Sequence, residues 1–325
     1  MRWVVSFLFA CAVALSGTSS ALAETYPSKP ITMIVPFPAG GITDIVARLA
    51  ADRMKTTLGQ PVIVENVGGA GGTIGVSRLA RSAPDGYTIA IAQWTSHVGA
   101  AVMYQVPFDY RTDFEPIAML SVGPLWIIGR KDFPASNAKE LIDWLKANPN
   151  KATAGTIGVG SGIHMCLVYF AEKTGTTMQY VPYRGAAPVM QDLLAGQIDL
   201  SCPEAGQTLA QYRAGSIKAF GVFTEKRWFA APEVQTIQEA GVPEVQFPFW
   251  HGLFAPKGVP KEVMSKLVAA VQEALTDAGV RQRLKELGHE VAPLNQQNPE
   301  GLAAYYKAEL DKWTPIIKAA NIKLQ

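Results

Sequence analysis

Cysteine and histidine are scarce in this sequence. Its 325 residues include only 3 cysteines and 4 histidines. The histidines stand in unrelated contexts, and the chain has no CxxC pair, no HExxH helix and no G-x-S-x-G turn. These absences argue against a structural zinc site and against the common hydrolase motifs. We therefore expect no bound metal, no cofactor and no enzymatic activity.

An excess of charge of either sign is also missing. The sequence has 29 basic and 27 acidic residues, a formal net charge of +2. We find no basic run that would create a strong local field. Such a balance gives no reason to expect nucleic acid or an anionic membrane surface as a partner. Any selectivity for anions must therefore come from local chemistry.

No apolar run reaches the roughly 20 residues that a membrane-spanning helix needs. The N-terminal run Val4–Leu15 follows a positive charge and precedes Ala21-Leu22-Ala23. This order is typical of a secretory signal peptide, which predicts removal of residues 1–23 and an exported protein with a net charge of +1. A lipoprotein cleavage box at Leu8-Phe9-Ala10-Cys11 is the alternative, but it puts Phe9 where a small residue is expected.

Two cysteines, Cys166 and Cys202, remain after this cleavage. Export permits a disulfide between them. Burial as two free thiols is equally compatible with the sequence. The pairing therefore stays open at this point.

The length and the hydrophobic patterns predict two α/β lobes. The mature chain exceeds the size at which a single core usually stops growing. Short apolar strands alternate with helical patterns in both halves, which favours mostly parallel sheets flanked by helices. We expect lobe 1 to comprise residues 24–122 and 250–325 and lobe 2 to comprise residues 123–249. Two crossovers between them would form a hinge.

The first of two glycine-rich turns follows an apolar strand and precedes a helical pattern. Backbone N–H groups at the start of a helix attract anions, and glycines let a ligand approach closely. An ordinary strand–helix turn, with Phe37 in the core, is the alternative. The candidate anion-binding residues of this turn are Phe37, Ala39, Gly40, Gly41 and Thr43.

The second turn has the same context about a hundred residues later. It reads Gly158-Val159-Gly160-Ser161-Gly162-Ile163-His164. Gly160, Ser161 and His164 are candidates to hold the same carboxylate from the other lobe, although His164 is also compatible with a purely structural hydrogen bond. Together the two turns predict a small carboxylate gripped between two lobes.

Further polar candidates follow other predicted strands. Trp94, Ser96 and His97 come after the strand that ends near Ala92, at the carboxyl end where open α/β sheets bind ligands. Arg184 follows another strand and is suited to bidentate pairing with a carboxylate. A solvated surface arginine is the alternative for Arg184.

A secreted hydrolase is a third interpretation of the same residues. It would need Ser161, His97 and Asp199 to assemble in space although they are far apart in sequence. That hypothesis predicts turnover of ester or amide derivatives of carboxylates.

Several short motifs, taken in order, resemble the tripartite tricarboxylate transporter substrate-binding proteins, also called Bug or TctC receptors. Each motif is weak alone, but they span the whole mature chain. They are Tyr26-Pro27-Ser28-Lys29-Pro30-Ile31, Pro36 to Gly41 with Asp44, Leu58-Gly59-Gln60-Pro61-Val62, Glu65-Asn66, Ala70-Gly71-Gly72, Pro84-Asp85-Gly86-Tyr87-Thr88, His164, Tyr183-Arg184-Gly185, Gly196-Gln197-Ile198-Asp199, Glu239-Ala240-Gly241 and Ala255-Pro256-Lys257-Gly258-Val259-Pro260.

The resemblance implies a two-lobed receptor of the type II periplasmic binding-protein fold. Such a receptor would be a monomer in the periplasm that closes on a carboxylated solute and delivers it to a two-component membrane permease. The resemblance places Ser96, His97, Arg184 and Asp199 on segments that line the cleft, and it gives Asp44 a supporting role in the first turn. Signalling to a membrane sensor kinase is the alternative role.

The aromatic content suggests a ligand class. Phe37, Trp94 and Phe249-Trp250 fall near the expected cleft. Aromatic side chains bury large areas and favour offset or edge contacts with a ligand ring. We therefore prefer an aromatic carboxylate to a small aliphatic diacid, with core packing of these rings as the alternative.

Overall fold

The computed structural model describes residues 25–242 and 245–320, so the predicted signal peptide lies outside the described residues. The elements up to the first crossover are β1 (Ile31–Val35), α1 (Ile42–Leu58), β2 (Val62–Asn66), a 3₁₀ turn (Ala70–Gly72), α2 (Thr73–Ala80), β3 (Thr88–Gln93), a π-helical segment (Thr95–Gly99), α3 (Ala100–Met103) and β4 (Phe114–Pro124).

The next group is β5 (Trp126–Arg130), α4 (Ala138–Ala147), β6 (Thr153–Thr156), α5 (Gly162–Thr174), β7 (Gln179–Pro182), α6 (Ala186–Leu194), β8 (Leu200–Ser201), α7 (Ala205–Arg213) and β9 (Ile217–Val222). The last group is β10 (Pro248–Pro256), α8 (Lys261–Thr276), α9 (Ala278–Glu286), β11 (Glu290–Val291), a 3₁₀ turn (Leu294–Gln296) and α10 (Pro299–Ala319).

These strands form two sheets, one in each lobe. The lobe 1 sheet has the order β11-β4-β10-β3-β1-β2, and the lobe 2 sheet has the order β7-β6-β8-β5-β9. The chain leaves the first sheet at Leu125, between β4 and β5, and returns between β9 and β10. Two adjacent connections therefore join the lobes, because Pro248 at the start of β10 pairs with Pro124 at the end of β4.

The two-lobed α/β architecture is confirmed, but the sheets are mixed rather than mostly parallel. In lobe 1, β1 pairs in parallel with β2 and β3, whereas β10 runs antiparallel to β3 and β4. In lobe 2, β6 pairs in parallel with β7 and β8, whereas β5 runs antiparallel to β8 and β9. The antiparallel pairs arise where the chain crosses between lobes, because β5 and β10 enter their sheets without a βαβ crossover.

Local sequence explains the elements that position the loops. Helix α1 ends at Gly59, whose φ of 67° supplies the left-handed cap that glycine adopts at low cost. Strand β3 is buried along almost its whole length, as its continuous apolar sequence predicts. None of the helices in the described ranges combines the length and apolar character that a membrane span requires.

Candidate functional site

The first loop, residues 36–44, presents free backbone donors. Its residues 39–41 are exposed, and Gly40 has a φ of 86°, which side chains rarely adopt. Helix α1 begins directly after Gly41 without a side-chain cap. No acceptor among the described residues meets the N–H groups of residues 42–44. These donors and the helix dipole make this end of α1 suited to an anion.

Asp44 holds this loop in shape. One carboxylate oxygen accepts hydrogen bonds from the Gly40 N–H at 2.9 Å and from Arg48 at 3.1 Å, and the other accepts from Asn66 at 2.9 Å. Burial alone would raise the pKa of Asp44, but the hydrogen bonds from Arg48, Gly40 and Asn66 outweigh it and keep the pKa below its usual value. Asp44 is thus ionised and already paired, in the supporting role expected for it.

The side chains of Phe37 and Thr43 both turn toward the protein. Phe37 is half-buried and packs against the lobe 1 core, and its carbonyl accepts from Asn66 at 3.1 Å. The buried Thr43 hydroxyl lies 3.2 Å from Nε2 of His251. The backbone of Thr43, rather than its hydroxyl, is therefore the part still available to a ligand.

A chain of buried polar groups continues from Thr43 toward lobe 2. The His251 ring lies 5.4 Å from that of His289, and Nε2 of His289 lies 3.0 Å from a carboxylate oxygen of Glu204. Burial, together with the neighbouring His289, keeps the pKa of His251 well below its usual value. Glu204 immediately precedes α7, so this chain joins the first loop to the base of lobe 2.

The second loop, residues 157–164, is held by hydrogen bonds among its own residues. The hydroxyl of Ser161 caps α5 by accepting from the His164 N–H at 3.2 Å, and it donates to the Gly158 carbonyl at 2.8 Å. The Gly160 N–H donates to Nδ1 of His164 at 3.0 Å. All three predicted residues of this loop are thus held by hydrogen bonds within the loop, and all three are buried.

His164 is held in its neutral form. Its burial lowers the pKa to about 4. Because Nδ1 accepts from Gly160, the ring proton stands on Nε2. The ring also packs edge-on against Tyr180, with centroids 4.9 Å apart. The structural hydrogen bond considered for His164 is therefore present, and no hydrogen bond from Nε2–H is found among the described residues.

The structure brings the second loop to the edge of lobe 1 from which the first loop emerges. The Gly162 N–H donates to Oγ1 of Thr95 at 3.1 Å. Thr95 follows β3, the parallel neighbour of β1, so the segments after β1 and β3 leave the same edge of the sheet. A Cβ on Gly72 would lie 2.8 Å from Ser96 and 3.3 Å from Pro36, which puts these two segments close together.

Thr95 is the interlobe residue that sequence reasoning missed, and its predicted neighbours are core residues. Trp94 is fully buried, with its ring 4.8 Å from Phe247 and 5.0 Å from Trp313. Ser96 and His97 are also fully buried and bond to each other at 3.0 Å. Burial lowers the pKa of His97 to about 3.

The expectation that Trp94, Ser96 and His97 line the cleft is therefore wrong for this conformation. The π-helical segment after β3 turns their side chains into lobe 1. The only available sequence signal for Thr95 was its position as a hydroxyl residue directly after a buried strand.

Asp199 and Arg184 have different surroundings. Asp199 accepts from Arg130 at 2.9 Å and from the Thr153 backbone at 2.9 Å. It therefore stabilises the lobe 2 sheet, which corrects its assignment to the cleft. Arg184 is exposed, and no acidic partner meets it among the described residues. Its pairing with a ligand stays a prediction.

The hydrolase hypothesis fails on the same geometry. The Ser161 hydroxyl bonds to Gly158, the His97 ring bonds to Ser96, and the Asp199 carboxylate bonds to Arg130. A nucleophile, base and orienting acid must form one connected set of hydrogen bonds. These three residues do not form such a set.

The cysteine pair forms a disulfide. Cys166 on α5 and Cys202 just after β8 are bonded, with Cα atoms 6.3 Å apart. This settles the alternative that the sequence left open. The bond fastens the helix behind the second loop to the end of the neighbouring strand.

The aromatic residues named for a ligand ring are mostly interior. Trp250 is fully buried and Phe249 nearly so. A Cβ on Gly162 would lie 2.8 Å from the Phe249 ring, so this ring packs behind the second loop. With Trp94 also in the core, the original reason for preferring an aromatic ligand is removed.

Sequence comparison places this arrangement among known receptors. Residues 46–322 match the family described as TctC, tripartite tricarboxylate transporter family receptor. A UPF0065 protein of Bordetella pertussis is 38% identical over 312 residues, which cover 96% of this chain and 95% of the relative. Protein BugT of the same organism is 32% identical over 305 residues, 93% of each chain.

Solved structures agree with this match. The periplasmic binding protein BugD is 42% identical, with a TM-score of 0.81 over 92% of this chain and 100% of that chain. MatC of Rhodopseudomonas palustris, solved with bound malate, is 34% identical, with a TM-score of 0.81 over 90% of this chain and 100% of that chain. R. palustris Rpa4515, solved with adipate, is 30% identical, with a TM-score of 0.82 over 92% of this chain and 100% of that chain.

Proposed function

Because this chain belongs to the tripartite tricarboxylate transporter receptor family, whose members are binding proteins and not enzymes, we propose that it is a periplasmic receptor for a small carboxylate. The ligand is held between the two lobes and passed to a two-component membrane permease. Its relatives MatC and Rpa4515 were solved with malate and adipate, both dicarboxylates.

One observation carries this proposal: the start of α1 offers three unmet N–H groups beside an open glycine turn. The first N–H groups of a helix have no partner within the helix and are therefore available to an anion. A carboxylate at this position would accept two or three of them and would gain from the helix dipole, worth about 0.3 to 2 kcal/mol. Asp44 is already neutralised by Arg48, so it does not repel the ligand strongly.

The second loop supplies contacts from the other lobe. Its unused donors include the Nε2–H of His164 and the N–H of Ile163. The Gly162 N–H becomes available if the lobes move and Thr95 releases it. A ligand that contacts both lobes favours the closed arrangement, because only that arrangement brings donors of both lobes to the ligand.

The proposal is tested by calorimetry and thermal unfolding of residues 24–325, purified free of ligand. The panel contains mono-, di- and tricarboxylates, each matched with its uncharged amide. A ligand at 100 times its dissociation constant stabilises the fold by about 2.7 kcal/mol, a shift of a few degrees. We expect at least one carboxylate to bind and the matching amide not to bind. Equal binding of acid and amide, or no binding across the panel, would contradict the proposed function.

A further inference from the structure

A cavity of about 350 Å³ opens in lobe 2 beside the second loop. Ile163, in the first turn of α5, lines one side of it, and Ala186 and Ala187 at the start of α6 line another. Ser201, the last residue of β8, and Pro203, two residues later, line a third side. The lining thus comes from the segments that follow β6, β7 and β8, at the edge of the sheet where the second loop stands.

The lining of this cavity carries no charge. Its walls combine apolar side chains, among them Met190 and Leu194, with the neutral amides of Gln191, Gln207 and Gln211. Arg184 precedes α6 by two residues but does not line the cavity. A carboxylate placed here would meet no cationic side chain in the lining, whereas an apolar group would cover apolar surface there.

Apolar side chains are also exposed in this part of lobe 2. Leu194, in the lining of the cavity, keeps 48% of its surface accessible, and Ile157 and Val159, in the loop that leads to Ile163, each keep 38%. Large apolar residues grouped around a concave site are typical of a binding surface. They complement hydrocarbon rather than a second carboxylate.

The volume of the cavity sets the size of that hydrocarbon. An apolar cavity of roughly 150 Å³ accommodates benzene. A cavity of about 350 Å³ therefore has room for a ring with a short linker or for a medium-length alkyl chain. A four-carbon dicarboxylate would leave most of it unfilled.

We propose that this cavity binds the uncharged, apolar body of the ligand, and that the ligand is a monocarboxylate of ring or medium-chain size. The inference rests on the proposed function, because the carboxylate itself must be held at the loops. It distinguishes this chain from the relatives solved with the dicarboxylates malate and adipate.

The test compares ligands that differ in one group. Hexanoate and adipate share six carbons, and only adipate has a second carboxylate. Calorimetry on residues 24–325 should give at least tenfold tighter binding of hexanoate. From butanoate to hexanoate, affinity should rise about fourfold per methylene, the equivalent of ~0.8 kcal/mol. 3-Phenylpropanoate should bind at least as tightly as hexanoate.

Two variants of one helix locate the effect. Ala187→Leu fills the cavity and should weaken hexanoate binding at least tenfold while changing acetate binding less than twofold. Ala195→Leu, exposed at the end of the same helix and outside the lining, should change neither. If Ala187→Leu does not fold, Leu194→Ser at a half-exposed position should weaken hexanoate binding several-fold.

The outcomes separate this inference from the function on which it rests. The inference would be overturned if adipate or malate bound more tightly than hexanoate and if Arg184→Ala weakened the binding of that dicarboxylate more than tenfold. The proposed function as a carboxylate receptor would then still stand. Unchanged hexanoate affinity in both Ala187→Leu and Leu194→Ser would also overturn it. Failure of every carboxylate to bind would overturn both proposals.

Discussion

The two glycine-rich loops look alike in sequence but are built in opposite ways. The first is exposed, uses an ionised side chain, Asp44, to fix Gly40, and leaves the first N–H groups of its helix unmet. The second buries Gly160, Ser161 and His164, uses the neutral side chains of Ser161 and His164, and pairs the N–H groups of all three residues within the loop. A glycine-rich turn before a helix is therefore not enough to identify an anion site, because the local hydrogen bonds decide which donors remain free.

This difference assigns unequal parts to the two lobes. Lobe 1 offers a prepared set of backbone donors. Lobe 2 offers a disulfide-linked helix and strand end with an uncharged cavity beside them. We expect the charge of the ligand to be recognised mainly by the first loop and its body by the second lobe. The four predictions below test this division.

The largest expected effect concerns the disulfide between Cys166 and Cys202, which supports the second loop and has no counterpart at the first. Replacing Cys166 and Cys202 together by alanine releases a link across 36 residues of sequence. The chain-entropy argument gives a loss of about 3 to 4 kcal/mol in the free energy of unfolding. Urea denaturation should detect it, and a reducing agent should destabilise the native protein but not the variant. Equal stability of the two proteins would show that the bond does not brace lobe 2.

The second largest expected effect is that the two loops lose their contributions to stability at different pH values in acid. The pKa of His164 falls from 6.5 in the unfolded chain to about 4 in the fold. As the pH drops below 6.5 the unfolded chain takes up this proton first, so stability is lost between pH 6.5 and 4, by about 3 kcal/mol. The pKa of Asp44 is lowered from 3.8, so its contribution is lost only below that pH.

The control for this titration is His164→Gln. The variant should show a shallower decline in the free energy of unfolding between pH 6.5 and 4 than the native protein does. All other ionisable groups are common to the two proteins, so the difference between the two curves isolates His164. Parallel curves would contradict the lowered pKa.

Two neighbouring glycines test the first loop. Gly40→Ala forces an alanine into a φ of 86°, which costs about 1 to 2 kcal/mol of stability. Gly41 has a φ of −76°, and an added Cβ would meet only a carbonyl 3.9 Å away, so Gly41→Ala should fold normally. We expect its methyl group to obstruct the ligand and to weaken binding about tenfold. If a stable Gly41→Ala protein bound the ligand with full affinity, the carboxylate would not be held at this loop.

The smallest effect concerns the bond between the lobes. Thr95→Val keeps the shape of the side chain but removes the acceptor of the Gly162 N–H. If the ligand takes over this donor, binding should tighten about two- to tenfold, in line with a hydrogen bond worth about 0.5 to 1.5 kcal/mol. Calorimetry measures the change directly. Weaker binding would show that the bond belongs to the ligand-bound arrangement.

The strand and helix pattern was readable from sequence because local periodicity encodes it. Helix α5 (Gly162–Thr174) follows a run of apolar residues at helical spacing, and the apolar segment of residues 117–128, interrupted by Gly123-Pro124, carries the crossover at Leu125. Both are determined by residues close in sequence. The same locality made the two glycine-rich loops visible as candidates.

Side-chain direction could not be predicted in the same way. Trp94 and His97 follow a strand end, where ligand contacts are common, but a π-helical segment turns them inward. The Asp199 carboxylate pairs with Arg130, which lies 69 residues earlier in the chain. The cavity depends on three helices and on the end of β8, which are brought together only by the fold. Each of these outcomes depends on partners distant in sequence.

The position of β10 bears on the order in which the protein can form. This strand lies in the middle of the lobe 1 sheet, between β4 and β3, yet it follows the whole of lobe 2 in the chain. During synthesis, β1 to β4 therefore cannot form a continuous sheet, because the central position of β10 stays unfilled until residue 256 is available. Lobe 2, uninterrupted from Trp126 to Val222, has no such delay. Closing a sheet across so many residues is slow, so lobe 2 is expected to be complete while lobe 1 is still open.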